Sequence, residues 1–138
     1  MKRTFFSLAL LLAVATLTAQ TKMTAREAAV KIADRILAST TYEFKNTKTG
    51  EIYKSVKKLP LDMDVKVACK YNNWHYTNGV TNMALMELGD KLGDKKYEKY
   101  VLKNMNFVFN EGNLDFFRKQ YDEAFKRDGW NAVRKLSW

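Results

Sequence analysis

One cysteine, one proline and one histidine stand among 138 residues, and each scarcity removes a class of protein. Cys69 has no second thiol with which to close an internal disulfide, so the chain must hold together through its core, and a buried thiol is the plain reading of that residue. His75 by itself excludes a histidine-rich zinc site. It also leaves any serine or cysteine nucleophile with one candidate base and no partner motif. There is no glycine-rich phosphate loop, no basic repeat interleaved with aromatics, and no apolar run reaching the roughly 20 residues that a membrane-spanning helix needs. The formal charge of +9 is spread along the chain, and Lys54, Lys57 and Lys58 form only a loose cluster. Such a balance suits an acidic partner such as an anionic sugar, but solvated lysines account for it as well, and no nucleic-acid partner, metal or cofactor is expected.

What is present begins with a leader. Lys2 and Arg3 precede an apolar run at 5–17, and Thr18, Ala19 and Gln20 supply small residues for cleavage. This is the layout of a secretory signal over residues 1–20, with no cysteine at its end to carry a lipid. Removing it lowers the formal charge from +9 to +7 and leaves one domain over 21–138 with no stable membrane association.

The rest reads as helices around one irregular stretch. Thr24 with Glu27 makes a capping box, and Ala29, Ile32, Ala33, Ile36 and Leu37 then share a face opposite Lys31 and Arg35, which predicts an amphipathic helix ending near Ser39. Over 40–70 the helical period is lost. Tyr42 and Phe44 alternate with polar residues, Asn46, Thr47, Lys48, Thr49 and Gly50 signal a turn, and Ile52 and Tyr53 return as a short strand. Pro60 then fixes an extended piece. Any strand is expected within 40–56. Connections this long are often binding loops or lids, and the aromatics in this one argue for packing rather than disorder. Gly93 and Asp94 stop one helix and cap the next, which places Tyr97, Val101, Met105, Val108 and Phe109 opposite Lys95, Lys99 and Lys103. Helices joined so tightly run antiparallel. Glu111, Gly112 and Asn113 break that helix. The segment 114–138 resumes it with Phe116, Phe117, Tyr121, Phe125, Trp130, Val133 and Leu136 as apolar positions, interrupted at Gly129 and looking cut inside an element at its end.

The stretch at 71–92 carries the candidate site. Trp74 and Tyr76, an imidazole and several amides crowd the entrance of a helix over 79–92 that is apolar on two sides, with Val80, Ala84, Leu85, Leu88 and Leu92 on one and Met83 and Met86 on the other. Such a helix is expected to be an inner one. Gly79 lets a backbone or a ligand approach closely, and Trp74, His75, Tyr76 and Asn78 surround the opening. The same residues serve equally well as a loop that plugs a core.

The run Y-N-N-W-H-Y-T-N-G-V at 71–80, then L-G-D-K-K-Y-E-K-Y-V at 92–101, N-F-V-F-N at 106–110 and L-D-F-F-R-K-Q-Y at 114–121, resembles the N-terminal part of the unsaturated glycuronyl and rhamnogalacturonyl hydrolases, glycoside hydrolase families 88 and 105. The resemblance covers most of 24–125 and is to their exported bacterial branch, which implies a periplasmic location. It implies an all-α chain, an incomplete (α/α)6 toroid of antiparallel helical hairpins with one long irregular loop. The activity implied is removal of the 4,5-unsaturated uronic acid that lyases leave on pectin or glycosaminoglycan oligosaccharides. An aspartic acid protonates the double bond, water adds to the adjacent carbon, and the resulting hemiketal collapses.

In the relatives those aspartates lie on later inner helices, beyond residue 138 of this chain. Asp115 is the nearest imitation but aligns with the loop before the family's L-D-D motif. The substrate contacts implied are Trp74 and Tyr76 at the toroid mouth, with His75, Asn73 and Asn78 as polar neighbours. An incomplete toroid would also leave apolar surface exposed. The competing reading is a secreted, non-catalytic helical module that binds a carbohydrate or peptide through Trp74, Tyr76 and Trp130.

Overall fold

The computed structural model describes residues 23–136. The expected signal segment and the last two residues lie outside them. Four helices dominate: α1 (Ala25–Ser39), α2 (Tyr76–Leu92), α3 (Lys95–Val108) and α4 (Glu111–Val133). Between α1 and α2 lie three short strands, β1 (Phe44–Asn46), β2 (Ile52–Tyr53) and β3 (Val65–Val67), and a 3-10 turn at Val56–Lys58. By its internal contacts the chain divides into Met1–Lys31 and Ile32–Trp138, with the boundary inside α1.

In the first unit the capping box forms as expected. The Thr24 backbone N–H donates to Glu27 Oε2 at 2.8 Å and the Glu27 N–H returns to Thr24 Oγ1 at 3.2 Å, which draws the Glu27 carboxyl below its ordinary pKa.

In the second unit, α2 and α3 form the antiparallel hairpin. Asn82 meets Asn104 near its open end and Gly89 meets Tyr97 near the connection, so residues pair in opposite chain directions. The connection is a Schellman turn: Gly93 sits at φ 66°, its N–H donates to Asp90 O, and the Asp94 N–H donates to Gly89 O at 3.0 Å. Asp94 then caps α3 by accepting from the Lys96 N–H at 3.0 Å. Gly89 marks a close approach here: a Cβ at this position would lie 3.1 Å from the Asp94 carbonyl and 3.3 Å from Tyr97 Cβ, so its neighbours would have to give by a few tenths of an ångström. Leu85, Tyr97, Tyr100, Val101 and Ala33 form the hairpin core, with Ile36, Leu37, Leu88 and Leu92 against it. Asp34 accepts from the Tyr97 hydroxyl at 2.9 Å and pairs with Lys96 Nζ at 2.8 Å, tying the end of α1 to the start of α3.

Several expectations need correction. The region between α1 and α2 is not one long irregular loop, and strands are not confined to 40–56. The hairpin of β1 and β2 forms where the turn signal placed it, but β3 adds on the other side of β1, antiparallel, with Phe44 opposite Val67 and Asn46 opposite Val65. The region does pack, as its aromatics argue: Phe44 and Val65 are buried with Phe116 and Phe117 of α4. The inward face of α2 is also rotated from the apolar pattern. Asn78, Asn82, Leu85 and Gly89 are buried, whereas Val80 is 60% and Met83 73% exposed. Buried amides, which a hydrophobicity count places outside, take those positions through hydrogen bonds to backbone and to each other. Likewise Ile32 of α1 and Phe109 after α3 are exposed. The break before α4 falls at Phe109 and Asn110, two residues, and not at Glu111, Gly112 and Asn113, which form the first turn of α4: Asn110 caps the helix by accepting from the N–H groups of Gly112 and Asn113. The interruption expected at Gly129 is present, with φ 52° and ψ −140° inside α4.

Candidate functional site

The loop at 70–75 is held by amides. Asn78, in the first turn of α2 and buried, points its Nδ2 back at the loop and donates to Lys70 O at 2.8 Å, Asn73 O at 3.2 Å and Asn73 Oδ1 at 2.6 Å. The same Asn73 oxygen accepts from the His75 N–H at 3.2 Å. His75 is the N-cap of α2: its Nδ1 accepts from the Thr77 N–H at 3.4 Å and lies 2.8 Å from the Thr77 hydroxyl, so an accepting Nδ1 leaves the ring proton on Nε2. Cys69 is a buried free thiol whose Sγ accepts from the Tyr71 N–H at 3.4 Å. These contacts fold the chain sharply into α2 and turn the two large aromatics outward.

Trp74 and Tyr76 face different surroundings. Trp74 is 40% exposed and packs edge-on against Phe109, with ring centroids 5.5 Å apart, and against Phe117 at 6.4 Å. Its indole forms one wall of an open groove of about 520 Å³, completed by Leu114, Phe117, Arg118, Tyr121 and Asp122 of α4. Tyr76 is 78% exposed, lies outside that groove, and rests against the His75 ring at 5.0 Å. Nothing among the described residues comes within 4 Å of the place a Gly79 Cβ would occupy, so the helix entrance is open there. Of the five predicted site residues, then, Trp74 lines a cavity, Tyr76 is at the surface beside it in sequence, and His75, Asn73 and Asn78 use their polar atoms to build the loop.

The α4 residues of the groove were not singled out from sequence as a site, although the positions were readable. Residues 114, 118 and 122, and 117 and 121, are four apart and fall on one helical stripe. What hid them was that Phe117 and Tyr121 read as core. Tyr121 stacks on Phe125 at 6.4 Å with the rings nearly parallel, and Trp130, beyond the kink at Gly129, lies edge-on to both at 6.3 and 5.6 Å. The aromatic surface therefore runs on past the groove along α4, with Phe125 and Trp130 exposed.

The groove is apolar on its walls and carries one guanidinium and one carboxylate, from Arg118 and Asp122. That combination can hold a flat or ring-shaped solute by its faces and orient it by a charged group. Asp115 stands elsewhere: it is exposed, pairs with Lys119 at 3.6 Å and Arg118 at 4.0 Å on its own helix, and does not line the groove. Among the described residues, no three His, Cys, Asp or Glu side chains gather as metal ligands, and no helix is long and apolar enough to cross a membrane.

No family model, no curated protein and no solved structure matches this chain.

Proposed function

We propose that this chain is an exported, periplasmic carbohydrate-handling protein of the unsaturated glycuronyl hydrolase type, in which the groove beside Trp74 takes the unsaturated uronic acid of a lyase-generated oligosaccharide. The observation that carries the reading is the groove itself: Trp74, Phe117 and Tyr121 offer aromatic faces, and Arg118 stands among them. A pyranose ring presents C–H faces that stack on such rings, and a uronate carboxylate is the natural partner of a guanidinium, with a charge-assisted hydrogen bond contributing about 1.5–3 kcal/mol. The motifs at 71–80, 92–101, 106–110 and 114–121 support the same family, and the hairpin of α2 and α3 is the kind of unit from which a helical toroid is built. The catalytic step would be protonation of the double bond and addition of water, with the aspartates supplied outside the described residues. The part played here is binding and orientation.

A second reading, a secreted binding module without turnover, is favoured by one observation. Asp115, the carboxylate that sequence offered as an acid, does not line the groove and pairs with Lys119 and with the groove's own Arg118. The two readings part in one experiment. The protein is mixed with an unsaturated uronic acid disaccharide while binding is followed by calorimetry and the double bond by its ultraviolet absorbance. Binding that weakens about tenfold in Trp74→Ala, which corresponds to about 1.4 kcal/mol, supports a sugar site, and loss of absorbance adds the hydrolase. Absence of binding, or binding indifferent to Trp74, removes the hydrolase reading and the carbohydrate form of the module.

A further inference from the structure

Beyond the groove, α4 carries a second aromatic surface that regular helical geometry would not build. Tyr121 and Trp130 are nine residues apart, which on an unbroken helix puts them on opposite faces and about 13 Å apart along the axis. Their ring centroids are instead 6.3 Å apart. The break that brings them together is at Asp128 and Gly129, where the backbone leaves helical geometry and Gly129 takes φ 52°, a region that residues with a side chain rarely adopt. Trp130 is thereby folded back edge-on to Phe125 at 5.6 Å, and Phe125 lies nearly parallel to Tyr121 at 6.4 Å. The cluster is not a closed core, since Phe125 remains 46% and Trp130 60% exposed. Tyr121 belongs to both surfaces, because it also lines the groove with Trp74 and Phe117. A continuous row of rings therefore leads out of the groove. A cation stands at each end of it. Arg118 is in the groove, and Arg134 is exposed one helical turn past Trp130, with its N–H donating to the Trp130 carbonyl at 3.0 Å.

We infer that Phe125, Trp130 and Arg134 extend the groove into a binding track for an anionic oligosaccharide longer than a disaccharide, with the sugars beyond the terminal uronate lying across Phe125 and Trp130. The inference rests on the sugar reading of the groove and adds the length of its ligand. A chain of pyranoses presents C–H faces in succession, and rings met in succession hold them at little conformational cost, because an aromatic side chain has only two torsions to fix. Carboxylates that recur along such a chain meet Arg118 at one end and Arg134 at the other, each a guanidinium suited to two-point pairing with a carboxylate. A second copy of the chain would also cover exposed rings. The sugar chain is favoured by the continuity with the groove through Tyr121 and by the guanidinium at each end of the row.

Calorimetry of the full chain with unsaturated di- and hexasaccharides tests the track, with one series made by lyase digestion of polygalacturonate and another of hyaluronan. In at least one series the hexasaccharide should bind about tenfold more tightly than the disaccharide, and the series that shows this gain names the source. Trp130→Ala, at an exposed position, should bring that ratio below about threefold, and Arg134→Gln, which leaves the rings in place, should lower it about threefold. Equal affinity for the two lengths in both series, or a gain that either variant leaves unchanged, overturns the track while the groove reading stands. If the disaccharide does not bind, the groove reading fails, and a hexasaccharide that still binds through Trp130 keeps the track. No binding of either length overturns both. A dimer in sedimentation that Trp130→Ala dissolves would give the rings to a second copy and overturn the inference as well.

Discussion

The helical hairpin and the sheet-bearing region bury themselves by opposite means. In the hairpin of α2 and α3, asparagines share the interior with apolar side chains: Asn78, Asn82 and Asn104 are buried beside Leu85, Tyr97, Tyr100 and Val101. In the other region four rings do most of the work, with Phe44 touching Phe107, Phe116 and Phe117 at centroid separations of 5.4, 6.4 and 6.1 Å. The first arrangement joins neighbours in sequence across a tight turn. The second joins residues from opposite ends of the chain. Directional bonds place a loop accurately, whereas aromatic packing provides a firm wall, and the groove uses one of each. Trp74 is delivered by the amide-held loop, and Phe117 and Tyr121 come from the helix seated on the sheet.

The sharpest way to break this contrast is to remove a ring from the aromatic region. Phe44→Ala should cost about 3–5 kcal/mol, because the residue is 1% exposed and its ring neighbours are held by the helix and sheet backbones, so the space cannot collapse. Chemical denaturation measures it, and a loss below about 1 kcal/mol would mean that the aromatic cluster is not a core. Next comes the polar tie of that same region. Gln120, 1% exposed, donates from Nε2 to Asp62 O at 2.5 Å and Val65 O at 2.9 Å; Gln120→Ala takes the Gln120 donor from Val65 O and leaves Asp62 O with the Val65 N–H, and should cost about 1–3 kcal/mol. In the amide-held region, Asn78→Ala should cost about 1–2 kcal/mol while weakening ligand affinity in parallel, since it frees the loop behind Trp74. Equal stability loss with unchanged affinity would separate the loop from the groove.

The smallest effect is one of pH. Lys96, by its hydrogen bond, and then Tyr97 hold the Asp34 carboxyl below its ordinary range. A depressed carboxyl contributes stability above its unfolded pKa, near 3.9, and loses it as pH falls through the lower folded value. With both side chains of the ion pair more than two-fifths exposed, the contribution is discounted to under about 1 kcal/mol. Asp34→Asn should therefore flatten the acid limb of the stability curve below about pH 4 and leave the neutral plateau slightly lower.

The sequence was most legible where one short signal decides one local structure. Thr24 with Glu27, Gly93 with Asp94, the turn after Asn46 and the glycine at 129 each place a backbone group that alternatives place badly, and each is found where expected. It was least legible where burial depends on distant partners. Val65, Lys66 and Val67 become a strand only because Phe44, Lys45 and Asn46 present a free edge, and no local period announces that. Asn82 and Asn104 are interior because they bond each other across the hairpin, a pairing that polarity alone argues against. The site was half readable: Trp74 stood out by type, but its wall of Leu114, Phe117, Arg118, Tyr121 and Asp122 looked like an ordinary helix face until the loop was folded against it.

The groove is tested most directly by titrating the isotopically labelled protein with an unsaturated uronic acid disaccharide and following backbone and indole resonances. Saturable shifts should centre on Trp74, Phe117, Arg118 and Tyr121, and Arg118→Ala should weaken binding about tenfold or more, with a saturated, uncharged disaccharide binding more weakly still. Shifts confined to other surfaces, or none at millimolar sugar, would contradict the assignment of the groove as a sugar site.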